Sequence, residues 1–344
     1  MKKPRIAVLG AGAIGSSVGA DFTEAGEDVW LVDQWPAHVE AMKTKGLRVV
    51  MPDHDLRASV RALHLSELAT ERPTFDIVFL AAKSYDTAWM TQLIRPFLAE
   101  DGIFVGLQNG MNEETIVPII GAERTVASVV ELSAEIYEPG LVQRDTTRAG
   151  TWFGVGELDG KITDRVGEIA ALLRHSAKVS VTENILGAKW TKLVANSMTM
   201  GPYSLFGLKN WDAAALPGMT EISLALGRES AAVGAALGHR LEPIFGLSAD
   251  DFAGSDDEVL VTAMRTLHKH IGKEATTATV QDQLKGRRTE LESITGMVVR
   301  KGREVGVPTP VNDVVLGLGR QIGAGTRVMD PSNLDVLKSL LAED

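Results

Sequence analysis

The sequence predicts an α/β unit built on a mainly parallel sheet, followed by a unit that is mostly α-helical. Short apolar runs alternate with helical patterns as far as Glu183, and almost no strand pattern follows that residue. Such alternation is typical of parallel sheets whose two faces are covered by helices. We therefore expect one domain over residues 1–183 and a second over residues 184–344, and a chain of 344 residues accommodates both.

The spacing of apolar residues predicts the individual elements. In the first half we expect strands at 6–9, 29–32, 77–80 and 103–106, and helices at 16–24, 37–45 and 86–98. Further strands are expected at 126–136, 141–144 and 151–154 as an antiparallel extension of the sheet, and then a helix at 162–175 and a strand at 178–182. Long helical patterns cover 185–205, 219–237, 279–304 and 311–322.

The composition argues against several classes of function. The formal net charge of −10 opposes sequence-independent binding to nucleic acid or to an anionic membrane. No apolar run approaches the roughly 18 residues of a membrane span, and no signal peptide is recognised, so we expect a cytoplasmic protein. The absence of cysteine excludes thiolate metal sites and a cysteine nucleophile. His268 and His270 would face different sides of a helix, so no metal site is predicted.

A glycine-rich turn joins the first predicted strand to the first predicted helix. It consists of Gly10, Ala11, Gly12, Ala13, Ile14 and Gly15. In this setting the first glycine permits a tight turn, the second lets a pyrophosphate approach the backbone, and the third lets the helix pack closely on the strand. The helix N-terminus then faces the phosphates. The turn therefore predicts a dinucleotide site of the Rossmann type, the alternative being a glycine-rich turn without a ligand.

An acidic residue ends the second predicted strand. Asp33 lies 18 residues after Gly15, where a carboxylate accepts hydrogen bonds from the adenosine ribose and repels a 2′-phosphate. Neither Gln34 nor Trp35 supplies a cation, so we expect NAD, with NADP as the less favoured cofactor. Because a helix is predicted from Pro36, a role for Asp33 near the helix cap is the alternative, and both roles can coexist.

Two polar residues of the first helix after Glu183 share one face. Lys192 and Asn196 are four residues apart in the segment Lys-Trp-Thr-Lys-Leu-Val-Ala-Asn at 189–196. A lysine whose stem lies among Trp190 and Leu193 loses solvation, which suits it to proton transfer. On spacing alone, the alternative is an ordinary solvated helix lysine.

Several segments together resemble the ketopantoate reductase family. They are Gly-Ala-Gly-Ala-Ile-Gly at 10–15, Leu-Gln-Asn-Gly-Met at 107–111, Trp-Thr-Lys-Leu-Val-Ala-Asn at 190–196, Arg-Arg-Thr-Glu at 287–290 and Gly-Val-Pro-Thr-Pro-Val-Asn-Asp at 306–313. The resemblance implies a Rossmann domain and a helical domain with the active site in the cleft between them. It also implies the reduction of a 2-oxo acid to a 2-hydroxy acid by a nicotinamide cofactor.

The resemblance assigns roles on the substrate side. Lys192 matches the family's catalytic lysine, which donates a proton to the developing alkoxide, and Glu290 matches an acid that lies across the cleft from it. Asn196 matches an asparagine that hydrogen-bonds the substrate, and Asn210 matches a further asparagine of the site.

Two more residues match positions on the cofactor side. Asn109 follows a predicted parallel strand, at the sheet edge where ligands bind, and matches a residue at the nicotinamide end of the site. Lys83 follows the preceding strand and resembles a lysine that lines the cofactor cleft, the alternative being a solvated loop lysine.

The chain departs from the family pattern at two positions near the substrate. Met200 stands one turn after Asn196, where a second asparagine is common, and Ala278, beside Thr277, replaces an expected serine. We place Met200 and Thr277 among the substrate-binding residues. Methionine makes an apolar and adaptable wall, so we expect a 2-oxo acid that differs from ketopantoate and is more hydrophobic.

These observations predict a homodimeric oxidoreductase that transfers hydride between NAD and a 2-oxo acid/2-hydroxy acid pair, with Lys192 as the proton donor or acceptor. The alternatives are oxidation as the direction in the cell, an NADPH-dependent 2-dehydropantoate 2-reductase, and a binding protein that senses NAD without turnover. Apart from a second copy of the chain, only a small-molecule partner is expected.

Overall fold

The computed structural model describes residues 3–245, 247, 256–270 and 275–341. The chain forms two compact units: the first comprises Met1–Gln108 and Asn112–Ile185, and the second comprises Asn109–Met111 and Leu186–Asp344. The three residues at 109–111 therefore belong to the second unit, although they are flanked on both sides by segments of the first.

Every strand in the described part of the chain lies in the first unit. Among the described residues they are β1 (Arg5–Leu9), β2 (Asp28–Asp33), β3 (Leu47–Val50), β4 (Asp55–Ala58), β5 (Arg61–His64), β6 (Phe75–Leu80), β7 (Leu98–Gly106), β8 (Thr125–Glu131), β9 (Ala134–Glu138), β10 (Leu141–Arg144), β11 (Trp152–Glu157) and β12 (Lys178–Val181). Eight of them form one sheet in the order β12-β11-β8-β7-β6-β1-β2-β5, in which only the pair β8–β11 is antiparallel. The prediction of a parallel sheet with an antiparallel extension is thus confirmed.

A second, four-stranded sheet has the order β4-β3-β10-β9. The prediction that all strands beyond residue 125 extend the main sheet is wrong for β9 and β10. Strand β10 pairs in parallel with β3, where Leu141 lies opposite Arg48, and in antiparallel fashion with β9. Apolar alternation identifies such short strands, but it does not reveal a partner that is so distant in sequence.

Helices cover both faces of the main sheet. In the first unit they are α1 (Ala13–Glu24), α2 (Pro36–Lys45), α3 (Leu68–Glu71), α4 (Thr87–Ile94), α5 (Glu113–Ile120) and α6 (Asp164–Leu173). Alternate residues of β1 enter different apolar clusters, with Ile6 and Val8 in one and Ala7 and Leu9 in the other. A strand buried on both faces places its side chains in this way.

The second unit is helical in its described residues. Its helices are α7 (Ile185–Tyr203), α8 (Asn210–Ala214), α9 (Met219–Ala236), α10 (Asp256–His270), α11 (Ala278–Leu284), α12 (Thr295–Val305), α13 (Pro310–Gly323) and α14 (Asn333–Leu341). The single helix predicted over 279–304 is wrong. The chain leaves α11 near Gly286, whose φ of 64° does not continue a helix, and it forms a short 3₁₀ turn at Leu291–Ser293 before α12.

Two further expectations concern membranes and metals. None of the described helices combines the length and the apolarity that crossing a bilayer requires. The side chains of His268 and His270 lie outside the described ones, and among those that are described no three acidic or histidine side chains are grouped as metal ligands would be.

Candidate active site

The glycine-rich turn connects β1 to α1, and two of its glycines are required by the fold itself. Gly10 has a φ of 91°, and a Cβ there would lie 2.7 Å from the backbone nitrogen of Ala82. A Cβ on Gly15 would overlap the carbonyl oxygen of Gly10. These two residues let the chain turn sharply and let α1 pack close to the strand.

Gly12 differs from both, because neither its conformation nor its neighbours call for glycine. Its φ of −66° is open to any residue, and a Cβ at this position would meet nothing within 4 Å. Gly12 caps α1, and the first N–H groups of a helix have no acceptor within that helix. Open space beside free N–H donors at a helix N-terminus fits the pyrophosphate of a dinucleotide.

Asp33, at the end of β2, is buried and holds the turn directly. Its Oδ2 accepts a hydrogen bond of 2.6 Å from the Ala11 N–H, and its Oδ1 accepts one of 2.7 Å from the Trp35 N–H. The second contact organises the entry to α2, whose N-cap residue is Trp35. Asp33 therefore connects the glycine-rich turn to the start of α2.

The half-buried Lys83 lies in the loop after β6, which neighbouring loops hold in place. Gln108 donates hydrogen bonds from Nε2 to the carbonyl of Ala82, at 2.7 Å, and to the hydroxyl of Thr87, at 2.9 Å. Gln34, which follows β2, donates to Asp86 across 3.3 Å. The carboxyl ends of β2, β6 and β7 are thus linked by side chains, and the sequence had not singled out Gln108 or Thr87.

Helix α7 carries three of the predicted site residues on one face. Lys192, Asn196 and Met200 follow one another at intervals of four residues, and their exposed fractions are 8%, 1% and 9%. The ammonium nitrogen of Lys192 lies 4.8 Å from the centre of the Phe245 ring, in cation–π geometry. Phe245 lies in a turn and has a φ of 61°, a left-handed conformation that is strained for a bulky residue.

Asn109 lies beside this face of α7. Asn196 donates a hydrogen bond from Nδ2 to Oδ1 of Asn109 across 3.2 Å. The next residue, Gly110, has a φ of 85°, and a Cβ there would lie 2.8 Å from the Ser293 carbonyl oxygen. Ser293 ends the 3₁₀ turn that the buried Glu290 precedes. Within the second unit, Asn109 thus contacts Asn196, and Gly110 lies against the segment that follows Glu290.

The remaining substrate-side residues meet at the start of α11. Thr277 caps this helix, and its hydroxyl shares a hydrogen bond with that of Thr279, which donates to the Met200 carbonyl across 2.8 Å. The backbone N–H of Asn210 donates to the carbonyl of Ala275. The buried Oδ1 of Asn210 has no hydrogen-bond donor among the described residues, so this oxygen can accept a hydrogen bond from a ligand.

Two family models together match most of the chain. The family model described as "Ketopantoate reductase PanE/ApbA" matches residues 6–157, and the model "Ketopantoate reductase PanE/ApbA C terminal" matches residues 184–323. The chain belongs to the ketopantoate reductase family. The resemblance drawn from the sequence motifs is thereby confirmed, and the protein is an oxidoreductase of this family.

Individual members of the family and of the fold are similar over nearly their full length. The 2-dehydropantoate 2-reductase of Archaeoglobus fulgidus is 29% identical over 328 residues, which cover 94% of this chain and 100% of the relative. A ketopantoate reductase structure from Ralstonia eutropha superposes with a TM-score of 0.79 at 26% identity, covering 93% of this chain and 99% of that one. D-mandelate dehydrogenase in complex with NADH and anilino(oxo)acetate shares the fold, with a TM-score of 0.83, 22% identity and coverage of 93% and 99%.

Phe245 is the site residue that sequence reasoning missed most clearly. Phe245 lies in a turn outside the helices and strands and matches none of the motifs that carry the family resemblance. Lys192 and Phe245 are 53 positions apart in the chain, so no local sequence pattern predicts their contact.

Proposed function

We propose that this protein reduces a 2-oxo acid to the corresponding 2-hydroxy acid, with NADH as the favoured cofactor and Lys192 as the proton donor. The observation that carries the proposal is the buried pair Lys192 and Asn196 on one face of α7, with Asn109 hydrogen-bonded to Asn196. A buried cation next to fixed amide groups is suited to bind a carboxylate and to stabilise negative charge that develops on a carbonyl oxygen.

The roles of the residues follow from the negative charge that develops on the carbonyl oxygen of the substrate. When bound, the dinucleotide supplies the hydride. Lys192 stabilises the oxygen that becomes negative and then donates a proton to it, while the Phe245 ring helps to hold the ammonium group in place. Asn196, oriented by Asn109, positions the substrate. As the family resemblance implies, Glu290 is the acid opposite the lysine, and Lys83 lines the cofactor site.

The preference for NADH is supported by the charges near the end of β2. Asp33 lies there, and Asp86 is held nearby by its hydrogen bond from Gln34. Two carboxylates at this edge oppose the 2′-phosphate of NADP, and the residue that follows Asp33 is an uncharged glutamine.

The substrate is proposed to carry an apolar substituent. Met200 belongs to an apolar cluster that also contains Met111, Met198 and Met297, with Ala278 packed against it. Methionine-rich walls adapt to ligands of different shape. The same fold holds anilino(oxo)acetate in D-mandelate dehydrogenase, so it can accommodate an aromatic oxo acid derivative.

An NADPH-dependent 2-dehydropantoate 2-reductase is the second candidate. Its reaction is favoured by relatives such as the Archaeoglobus fulgidus protein, which is named 2-dehydropantoate 2-reductase. The buried Oδ1 of Asn210 provides an acceptor for a substrate hydroxyl. The family resemblance also leads us to propose a homodimer, which light scattering on the purified protein tests.

Initial rates decide between the candidates. NADH and NADPH are each tested with ketopantoate and with branched, aromatic and short 2-oxo acids, and NAD is tested with the matching hydroxy acids. Turnover of NADH with apolar oxo acids supports the first proposal, strong NADPH turnover on ketopantoate supports the second, and cofactor binding without turnover indicates a sensor.

Lys192→Ala should lower turnover about 10²- to 10⁴-fold with NADH affinity nearly unchanged. Lys189→Ala, which removes a buried lysine from the same helix, serves as the control.

A further inference from the structure

We propose that His38 is a positioning residue for the cofactor turn, which fixes the peptide group between Ala11 and Gly12 through Ser16 and so sets the affinity for the dinucleotide. This role rests on the proposed cofactor site and deepens it. His38 lies on α2, outside the glycine-rich turn, and it is fully buried.

The contacts of His38 define which ring nitrogen carries the proton. Nδ1 accepts a hydrogen bond of 2.9 Å from the backbone N–H of Gly140. Nε2 lies 3.1 Å from the hydroxyl oxygen of Ser16, and that hydroxyl donates its own hydrogen to the Ala11 carbonyl across 2.7 Å. Because the Ser16 hydrogen is already used, Nε2 must be the donor. The ring is therefore the neutral Nε2–H tautomer, and both of its nitrogens are occupied.

This chain of hydrogen bonds orients a donor for the ligand. The carbonyl of Ala11 and the N–H of Gly12 belong to one planar trans peptide, so they point in opposite directions. A carbonyl held towards Ser16 turns the Gly12 N–H the other way. Asp33 holds the Ala11 N–H on the preceding peptide, and both peptide planes at Ala11 are thus fixed.

His38 itself is held from two sides. The ring of Trp35 stacks on it, with the centroids 5.4 Å apart and the planes at 24°. Gly140, which donates to Nδ1, lies between β9 and β10, and its carbonyl accepts a hydrogen bond from the Arg48 N–H on β3. One ring therefore links the four-stranded sheet to the turn that is proposed to bind the cofactor.

Two substitutions separate the two functions of the ring. Asparagine can reproduce the Nδ1 acceptor but does not reach Ser16, whereas glutamine can reproduce the Nε2–H donor but leaves Gly140 without its acceptor. We expect His38→Asn and Ser16→Ala each to raise the Kd for NADH about 3- to 10-fold, with kcat at saturating NADH unchanged. His38→Gln should raise this Kd less, and His38→Asn combined with Ser16→Ala should raise it no more than either change alone.

The measurements are titrations of NADH fluorescence at a temperature where thermal melts show every variant to be folded. Equal Kd values for wild type and folded variants would overturn the role of His38, as would independent effects that multiply in the double variant. If the wild-type protein binds neither NADH nor NADPH, the cofactor site fails and this role fails with it.

Nitrogen NMR of the histidine rings gives a readout that a purely structural role in stability would not supply. The chain has seven histidines, and the signal that disappears in His38→Gln identifies the ring. We expect a neutral Nε2–H tautomer at pH 7. An Nδ1–H tautomer or a charged ring at this pH contradicts the proposal.

Discussion

The side-chain amide of Asn196 donates a hydrogen bond to the side-chain oxygen of Asn109, across 3.2 Å between residues 87 positions apart in the chain. The family resemblance places one of these residues with the substrate and the other with the nicotinamide. Their contact means that the amide proposed to orient the substrate is itself oriented by a residue assigned to the cofactor side. Changes at either position should therefore affect how the substrate is held.

The two glycines at positions 12 and 15 should respond in opposite ways to alanine. Gly12→Ala places a methyl group in open space, so we expect a loss in the free energy of unfolding below about 1 kcal/mol, but an increase in the Kd for NADH of at least about 10-fold. Gly15→Ala drives a Cβ into the Gly10 carbonyl and should cost about 2–3 kcal/mol. Urea denaturation and NADH titration measure both effects. Intact NADH binding by Gly12→Ala would place the pyrophosphate elsewhere.

Substitutions next to Asp33, and not at Asp33 itself, should shift the cofactor preference from NADH to NADPH. Because this carboxylate holds the N–H groups of Ala11 and Trp35, Asp33→Ala should weaken the binding of both NADH and NADPH. Gln34→Arg combined with Asp86→Asn adds a cation and removes a charge, so it should raise the kcat/KM for NADPH about 10-fold. Gln34→Glu is the control and should bring no gain. A variant Asp33→Ala that simply switches to NADPH would contradict this account.

The aromatic face over Lys192 should matter for turnover. Phe245→Leu keeps the apolar volume but removes the ring that lies 4.8 Å from the ammonium nitrogen. We expect kcat/KM for the best oxo acid to fall about 3- to 30-fold, whereas Phe245→Tyr should retain it because the ring persists. Steady-state kinetics on both variants test this, and equal rates for leucine and tyrosine at position 245 would exclude a role for the ring.

Removing one partner of a buried ion pair should strongly destabilise the first unit. Asp21 on α1 accepts a hydrogen bond of 2.8 Å from Arg144 on β10, and both side chains are fully buried. Asp21→Asn leaves the guanidinium without its counter-charge and should lower the free energy of unfolding by about 3–5 kcal/mol. Asp55→Asn, which breaks the exposed pair with Arg48, is the matched control and should have a much smaller effect. Equal losses in chemical denaturation would show that Arg144 is solvated.

Stability should decline as the solution becomes mildly acidic. Burial lowers the pKa of His38 below its ordinary value, although the negative charge of Asp33 opposes this shift. As the pH falls below about 6.5, the unfolded chain binds a proton at this ring before the folded chain does. The stability present above about pH 6.5 is therefore lost progressively between that value and the lower folded-state pKa. Denaturation at pH 7.5 and 5.5 should show a larger loss for wild type than for His38→Gln. A loss of equal size in both proteins would assign the dependence to other groups.

Local sequence patterns predicted the elements that are determined by residues close together in the chain. The period of apolar residues located α7, α9 and seven of the eight strands of the main sheet, with β5 as the exception. The four-residue spacing placed Lys192 and Asn196 on one face. The second sheet escaped prediction because Arg48 and Leu141 become neighbours only in the folded chain. The contact between Phe245 and Lys192 escaped for the same reason, since it depends on a residue that follows no periodic pattern.

Asn109, Gly110 and Met111 belong to the helical unit, and this limits how hybrids of this protein and its relatives can be built. Met111 is buried in the same apolar cluster as Trp190, so a hybrid joined once, after residue 185, would combine a three-residue segment from one parent with helices from the other. A hybrid that combines the cofactor preference of one family member with the substrate preference of another therefore needs residues 109–111 from the same parent as the helical unit. Natural family members that arose by exchange of whole units should show compensating substitutions at these three positions.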